Sequence, residues 1–496
     1  MKLIFTAALL ACAGAAFAAE TPNVLLIALD DLRPELGCYG QTQIHSPNID
    51  RLAASGVLFN HAYCQYPVCN ASRASLLSGL RPDSTGVYVN VTNFRKRAPE
   101  VVTLPQHFKN NGYVTQAVGK IYHGAFEKAY VGRTFDDPAS WTLEHCYGSP
   151  QYYFTPRGIE VAREVYGNKF HKSGAELDDW TTEFVQGLAT EAPDVPDSML
   201  YDGEMTDRAI QALGKLKGKP FFLAVGYLKP HLPFVAPKKY WDLYDRASLT
   251  LPSPATTPQN APAIALQRNG ELRVQYTNMR NDPLSEAQTR ELRHGYFACV
   301  SYVDSQIGRM VSELDRLGLR ENTIIVLWGD HGYHLGEQDM WGKLTPFELA
   351  ARVPLIVSAP GRKAVGAKSE ALVELVDIYP SLCELAGLPL PPHLEGTSFV
   401  PLLDAPDRPW KDTAFTQLVH CAATGRSLRT ERYRFTCWKQ TKSPTATLAV
   451  ELYDYARAPV EVENIAERPE NAELVKELTS KLDAGWQAAK PNRAPN

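Results

Sequence analysis

Residues 23–31 read NVLLIALDD, a short and mainly apolar run that ends abruptly in Asp30 and Asp31. A run of this length and composition is typical of a strand that is buried on both faces of a parallel sheet. The same succession of an apolar run and then polar residues recurs three times along the chain. It is found at 113–118 before Gly119-Lys120, at 221–227 before Lys229-Pro230-His231, and at 323–328 before Gly329-Asp330-His331-Gly332.

Segments with helical spacing separate these runs. Residues 47–55 begin with a proline and stop at Gly56, and residues 287–317 form a long amphipathic stretch. Buried strands that alternate with helices predict an α/β fold with a large, mainly parallel sheet covered by helices on both faces. Ligands bind such sheets at the carboxyl ends of the strands, where four predicted strands here deliver acids, histidines and lysines. The sequence therefore predicts an active site at that edge.

The pattern changes near residue 405, where β-hairpin patterns and a terminal helix at 472–489 follow. We interpret 19–405 as the catalytic domain and 406–496 as a smaller C-terminal subdomain with an antiparallel sheet. Cys421 and Cys437 flank a predicted hairpin of strands 414–418 and 428–437. They are the first candidates for a disulfide bond.

The composition is that of a soluble globular protein with a substantial core. The chain has 496 residues, of which 44% are hydrophobic and 21% charged, and these values exclude disorder, collagen-like repeats and a coiled coil. The formal net charge of −4 is too close to neutral to drive binding to nucleic acid or to an anionic membrane. We expect no nucleic-acid partner.

Residues 1–18 read MKLIFTAALLACAGAAFA, with one lysine before an apolar run that ends in small residues. This pattern predicts a signal peptide, and hence an exported protein that is periplasmic or secreted. A membrane anchor is the alternative, although the run is short for a bilayer. Lipid attachment at Cys12 is a further alternative. No other stretch is long and apolar enough to span a membrane, so we expect no transmembrane segment in the mature chain.

Residues 69–79 read CNASRASLLSG and place a cysteine at the start of a short helix. The positive end of a helix dipole favours both a reactive group and an oxyanion. The simpler interpretation is a buried structural cysteine. The segment, however, resembles the sulfatase signature C-x-[PA]-S-R, followed by a Ser/Thr-Gly pair. In that family the cysteine is oxidised to formylglycine by a maturation enzyme, and the hydrated aldehyde is the nucleophile.

Other segments resemble sulfatase elements in the expected order, and the resemblance extends from residue 23 to about residue 465. These segments are DDLRP at 30–34, GKIYH at 119–123, KPHLP at 229–233, DHG at 330–332 and WGK at 341–343. The chain is similar to the iduronate-2-sulfatase-like branch at 30–40, 81–85, 221–227 and 427–434. The resemblance implies an alkaline phosphatase/sulfatase-like fold and a sulfuric ester hydrolase that acts on a sulfated saccharide.

Two strand ends offer a set of metal ligands, which are Asp30, Asp31, Asp330 and His331. From chemistry alone, three oxygen donors and one imidazole suit manganese, magnesium or zinc about as well as calcium. Taken singly, the first pair could be a solvated turn and the second a helix cap. The resemblance implies one calcium ion per chain, with the nucleophile at Cys69 as a further ligand.

Cleavage of a sulfate ester needs positive charge around the sulfate and a proton for the leaving alcohol. By resemblance, Arg73 and Lys120 hold the hydrated aldehyde, and His123 orients or deprotonates it. Lys343 and His231 bind the sulfate oxygens and face the leaving oxygen. His231 is the better general acid because the unperturbed pKa of histidine lies near neutrality.

In the implied mechanism, one hydroxyl of the hydrate attacks sulfur in line and releases the alcohol. The enzyme-bound sulfate ester then breaks when the second hydroxyl loses its proton and the aldehyde reforms. Unmodified cysteine could not perform that second step.

The branch implies removal of a 2-O-sulfate from a terminal sugar, such as a uronate of a glycosaminoglycan or algal polysaccharide. Gly86 follows residues 81–85, where the animal iduronate enzymes carry an arginine, and this difference weakens the case for a uronate. Arg33 and Arg95 remain as candidate partners of a substrate carboxylate.

Two other functions are compatible with these residues. A phosphate or phosphonate ester hydrolase of the same superfold would share many of them, and matched sulfate and phosphate esters would distinguish it. A secreted carbohydrate-binding protein with an inactive site is the second alternative. Bound calcium together with unconverted Cys69 would favour it.

Overall fold

The computed structural model describes residues 21–123, 136–148, 151–166, 187–267 and 270–491. The predicted signal peptide at 1–18 and Cys12 lie outside these ranges. The strands are β1 (Asn23–Leu29), β2 (Val57–Tyr63), β3 (Val114–Gly119), β4 (Thr190–Glu191), β5 (Phe221–Tyr227), β6 (Phe234–Val235), β7 (Thr323–Gly329), β8 (His334–Leu335), β9 (Trp341–Gly342), β10 (Arg352–Ser358), β11 (Lys368–Glu374), β12 (Ala414–His420), β13 (Ala423–Arg429), β14 (Tyr433–Gln440) and β15 (Ser443–Asp454). The α-helices are α1 (Pro47–Ala54), α2 (Cys69–Ser78), α3 (Pro82–Thr85), α4 (Leu104–Asn110), α5 (Pro156–Tyr166), α6 (Tyr201–Leu216), α7 (Lys238–Trp241), α8 (Gly270–Gln275), α9 (Glu286–Leu317), α10 (Glu348–Ala351), α11 (Ile378–Leu385) and α12 (Ala472–Ala488).

The large sheet has seven strands in the order β11-β2-β10-β7-β1-β5-β3. Strand β1 pairs in parallel with β5 and β7, and β3 pairs in parallel with β5. Strand β10 alone is antiparallel to its neighbours β2 and β7. The four apolar runs found in the sequence form β1, β3, β5 and β7, and the prediction of a mainly parallel sheet is confirmed.

Strand β1 lies at the centre of two hydrophobic cores. All seven of its residues are buried. Leu25 and Ile27 belong to the core on one face of the sheet, whereas Val24 and Leu26 belong to the core on the other. Because both faces are covered, the strand is apolar without interruption from Val24 to Leu29 instead of alternating with polar residues. Burial of each of these aliphatic side chains contributes roughly 1.5–3 kcal/mol.

The parallel strands bring their carboxyl ends to one edge of the sheet. Strand β1 ends directly before Asp30 and β7 before Asp330, while β3 ends before Lys120 and β5 four residues before His231. The connection after β2 leads into α2, which begins at Cys69. Strand direction and the order of the strands in the sheet therefore bring these five residues to one place.

A second, antiparallel sheet has the order β12-β13-β14-β15. Helix α12 packs on it through Leu478, in a small core that includes Phe435 and Leu452. The predicted antiparallel sheet near the C-terminus is thus confirmed. Within the ranges given above, no helix combines the length and the apolar character that crossing a bilayer requires.

The predicted disulfide between Cys421 and Cys437 is wrong. Both are free thiols, Cys421 exposed and Cys437 buried. Residues 428–437 are two strands and not one, because β13 ends at Arg429 and β14 begins at Tyr433. Cys421 lies in the turn after β12, whereas Cys437 pairs with Arg426, five residues further along β13. The three residues from Ala423, where β13 begins, to Arg426 alone span roughly 10 Å at about 3.4 Å per residue, which already exceeds the Cα separation of a disulfide.

A buried ion cluster joins the second sheet to the first. Glu348 at the start of α10 accepts hydrogen bonds from Arg434 of β14 (2.7 Å), from Arg429 of β13 (3.2 Å) and from the hydroxyl of Tyr63 (2.9 Å). Arg434 has no exposed surface. Loss of the Glu348 charge would leave Arg434 with Glu461, at 3.4 Å, and would remove the buried carboxylate that pairs with Arg429.

Glu348→Gln should therefore lower the free energy of unfolding by about 3 kcal/mol, because breaking a buried ion pair leaves an uncompensated charge. Urea unfolding followed by circular dichroism measures this change. Glu160→Gln removes the same charge from an exposed helical pair with Arg157 and should leave the unfolding curve unchanged. Equal effects of the two substitutions would contradict the structural role of the cluster.

Candidate active site

Cys69 is the first residue of α2 and is almost completely buried. Its Sγ lies 3.2 Å from Nε2 of His331. Burial, together with the nearby Asp30 carboxylate, raises the pKa of the Cys69 thiol well above its ordinary value. The unmodified thiol is thus neutral near pH 7 and a poor nucleophile. The position favours a residue that acts in another chemical form.

The structure brings the predicted metal ligands together at the sheet edge. Potential ligand atoms of Asp30, Cys69, Asp330 and His331 all lie within 4.8 Å of one another, and all four residues are buried. Asp31 adjoins this group, since its backbone N–H donates to Oδ1 of Asp330 (3.1 Å). We refer to these five residues together as the metal cluster.

The metal cluster fits a divalent cation. Asp30, Asp31 and Asp330 have no exposed surface, and Oδ1 of Asp30 is buried without a hydrogen-bond partner among the described residues. An orphaned carboxylate oxygen in the interior is costly unless a cation satisfies it. Three carboxylates beside one imidazole are a donor set that hard or borderline divalent metals accept.

Two buried cations line the same side of the cluster. Nε of Arg73 donates to Oδ2 of Asp330 (2.8 Å), and its Nη1 donates to the carbonyls of Lys120 (2.5 Å) and Ile121 (3.1 Å). The Lys120 ammonium donates to Oδ2 of Asp30. Burial alone would raise the pKa of the Asp30 carboxyl, but Lys120, with His231 and Arg73, holds it well below its ordinary value. Asp30 is therefore ionised at neutral pH.

Lys343 and His231 approach the cluster through Asp31. The Lys343 ammonium donates to both carboxylate oxygens of Asp31, at 2.9 and 3.1 Å, and Nε2 of His231 lies 3.8 Å from Oδ2 of the same residue. Burial raises the pKa of Asp31 to about 7, against the opposing effect of Lys343. Burial, reinforced by Lys343, lowers the pKa of His231 to about 4. The pKa of His231 in the protein thus lies below the near-neutral value of an unperturbed histidine.

The remaining predicted residues are placed as follows. His123 is buried in the turn that follows β3. Arg33 forms two hydrogen bonds with Glu337, at 2.9 and 3.0 Å, and Arg95 forms two with Asp137, at 2.8 and 3.1 Å. Both guanidiniums are engaged by carboxylates of the protein, which favours a structural role for Arg33 and Arg95 over pairing with a substrate carboxylate.

Sequence reasoning missed Glu271 of α8. Its Oε2 lies 3.4 Å from Nζ of Lys343, and its Oε1 lies 3.4 Å from Nε2 of His231. No motif surrounds this residue, and α8 is a short helix in a long stretch without periodic hydrophobic residues. Only the three-dimensional structure shows that the residue belongs to the site.

Comparison with known proteins places this geometry in context. Residues 22–388 match the sulfatase family, and residues 336–488 match the C-terminal region of N-sulphoglucosamine sulphohydrolase. Iduronate 2-sulfatase of Mus musculus is 38% identical over 416 residues, which are 77% of this chain and 72% of that protein. A sulfatase of Formosa agariphila is 30% identical over 480 residues, 95% of this chain and 88% of that protein.

Among solved structures, the phosphonate monoester hydrolase of Agrobacterium radiobacter superimposes with a TM-score of 0.72. The match covers 96% of this chain and 100% of that chain at 22% sequence identity. At this level of identity the likeness concerns the fold alone.

Proposed function

Since this chain belongs to the sulfatase family and is a sulfuric ester hydrolase, we propose that it removes a 2-O-sulfate from the terminal sugar of a sulfated saccharide. The observation that carries the proposal is the convergence of Cys69 with Asp30, Asp330 and His331 within 4.8 Å. The 38% identity with mouse iduronate 2-sulfatase supports the 2-position.

The metal cluster would hold one calcium ion through Asp30, Asp31, Asp330, His331 and the nucleophile at position 69. Bound there, the cation supplies Lewis acidity that stabilises charge on a sulfate oxygen and on the nucleophile. The orphaned Oδ1 of Asp30 supports this assignment.

The protein's own side chains divide the chemistry between two sides of the cluster. On one side, formylglycine derived from Cys69 would provide the attacking hydroxyl, which Arg73 and Lys120 stabilise by their positive charge. His123 would orient or deprotonate that hydroxyl. On the other side, Lys343 and His231 would bind the sulfate oxygens and face the leaving oxygen. A bound sulfate favours the protonated imidazole, since opposite charges in a buried site raise the pKa of histidine.

Maturation and export complete the proposal. Conversion of Cys69 requires a formylglycine-generating enzyme of the host, and the segment at 1–18 supports export to the periplasm or the medium. Lipid attachment at Cys12 would keep the enzyme at the membrane surface. In either location the substrates would be fragments from sulfated polysaccharide degradation.

A panel of sulfated sugars tests the substrate. Release of sulfate from 2-O-sulfated monosaccharides and disaccharide ends should exceed release from 3-, 4- and 6-sulfated isomers by at least about tenfold in kcat/KM, because a sulfate on another carbon, once bound, turns the sugar ring to a different orientation. A preference for a 6-sulfate, or for internal positions of an intact polymer, would overturn the proposal. Matched phosphate and phosphonate esters belong in the same panel, and faster hydrolysis of these would favour the alternative hydrolase.

A further inference from the structure

Glu271 lies between the two residues on the leaving-group side of the site. We propose that Glu271 is a positioning residue that holds His231 and Lys343 against the leaving oxygen of the sulfate ester. The inference rests on the proposed function, because it assumes a sugar alkoxide that has to be protonated as it leaves.

The orientation of His231 supports this role. Nδ1 of His231 donates to the carbonyl of Leu232 at 2.6 Å, which assigns the proton of the neutral ring to Nδ1 and turns Nε2 toward the site. When the ring is protonated to act as a general acid, Nε2 also carries a proton, and this N–H lies 3.4 Å from Oε1 of Glu271, an ionised carboxylate that can only accept. The imidazole is a quarter exposed, so the Leu232 carbonyl alone does not confine it. Glu271 supplies the second contact that fixes the ring plane.

Lys343 needs a similar constraint because its side chain is long and flexible. Its ammonium is bound on one side by Asp31 and lies 3.4 Å from Oε2 of Glu271 on the other. Asp31 follows β1 and Glu271 is on α8, so two separate elements converge on one ammonium. The two oxygens of a single carboxylate thus hold both groups on the leaving side.

Glu271 carries a negative charge at neutral pH. Burial would raise the pKa of its carboxyl, but Lys343 and His231 lower it below the ordinary value. It belongs to neither group of potential metal ligands in the described structure. Its action is therefore expected through His231 and Lys343 and not through contact with the sulfate.

The leaving group distinguishes positioning from a general structural role. Wild type, Glu271→Gln and Glu271→Asp are compared on 4-nitrophenyl sulfate, whose leaving nitrophenolate needs no proton, and on a 2-O-sulfated monosaccharide, whose alkoxide does. Glu271→Gln should lose about 30-fold in kcat on the sugar sulfate, a part of the effect of general acid catalysis, and less than about threefold on the nitrophenyl ester. Glu271→Asp keeps the negative charge and should also lose more kcat on the sugar sulfate than on the nitrophenyl ester, with smaller losses than Glu271→Gln.

Glu370→Gln is the matched control, because it removes the carboxylate of an exposed pair with His61, 3.1 Å apart, and should change neither rate. If Glu271→Gln loses kcat equally on the two esters, or loses none on the sugar sulfate, the inference is overturned. The proposed function is unaffected by that result as long as the wild type is active. If Glu271→Gln fails to fold by near-ultraviolet circular dichroism, equal losses for Glu271→Asp overturn it in the same way. Matured wild type that cleaves neither ester would refute the proposed function, and the inference with it.

Discussion

Cys69→Ala is expected to reduce sulfate release by at least about 10⁴-fold, because alanine offers no group from which the nucleophile can be made. The fold should persist, since the thiol contributes one contact of 3.2 Å to His331 at a site that α2 holds in place through its other residues. Cys69→Ser should be equally inactive unless the maturation enzyme accepts serine. Sulfate release and near-ultraviolet circular dichroism measure the two effects.

Cys383→Ala is the matched control for this experiment. Cys383 is also buried and also lies in a helix, α11, but it belongs to the hydrophobic core and to neither group of potential ligands. Its substitution should leave turnover within about twofold of wild type while costing some stability. Retention of most activity by Cys69→Ala would refute the assignment of the nucleophile.

Exhaustive chelation should lower the turnover rate by at least about 10³-fold, and added calcium should restore it. The reason is that the cation would neutralise charge that develops on the sulfate and on the nucleophile. Magnesium, manganese and zinc are tested in parallel, since the donor set alone admits them. The melting temperature should rise with calcium and fall on chelation, as for any ligand that binds only the folded state.

Asp330→Asn distinguishes the loss of the bound metal from other effects that the chelator has on the protein. Asp330 joins the cluster to Arg73 through a 2.8 Å hydrogen bond, and the amide would keep the shape of the side chain without its charge. The variant should lose both activity and the calcium-dependent rise in melting temperature. A chelated protein that works as well as the untreated one would show that the metal assignment is wrong.

The sequence was sufficient to predict the centre of the sheet and much of the candidate site. A strand buried on both faces is apolar along most of its length, so β1, β5 and β7 are visible as nearly continuous apolar runs. Parallel strands share one carboxyl edge, and the polar residues that follow each run must meet there. Asp30 and Asp330 are 300 positions apart in the chain, and that rule places them at the same edge of the sheet. The pairing of β1 with β7, which makes them neighbours, was not predicted.

Features that depend on distant partners were not accessible in this way. The apolar composition of β10 does not indicate that this strand runs antiparallel to β7. The sequence around Arg33 likewise does not indicate that its guanidinium will pair with Glu337. The motif around His231 also gave no indication that burial beside Lys343 lowers the pKa of this residue from the unperturbed value of histidine. Glu271 was missed because α8 lacks the periodicity that marks the buried elements.

The mass of the proteolytic peptide that contains residue 69, taken from active enzyme, tests the central claim most directly. We predict that this peptide carries the aldehyde or its hydrate in place of the thiol, and that the converted fraction rises in proportion to specific activity across preparations. Bound calcium together with an unconverted thiol in an inactive protein would support the carbohydrate-binding alternative. Full activity from protein in which the peptide carries only the thiol would contradict the account.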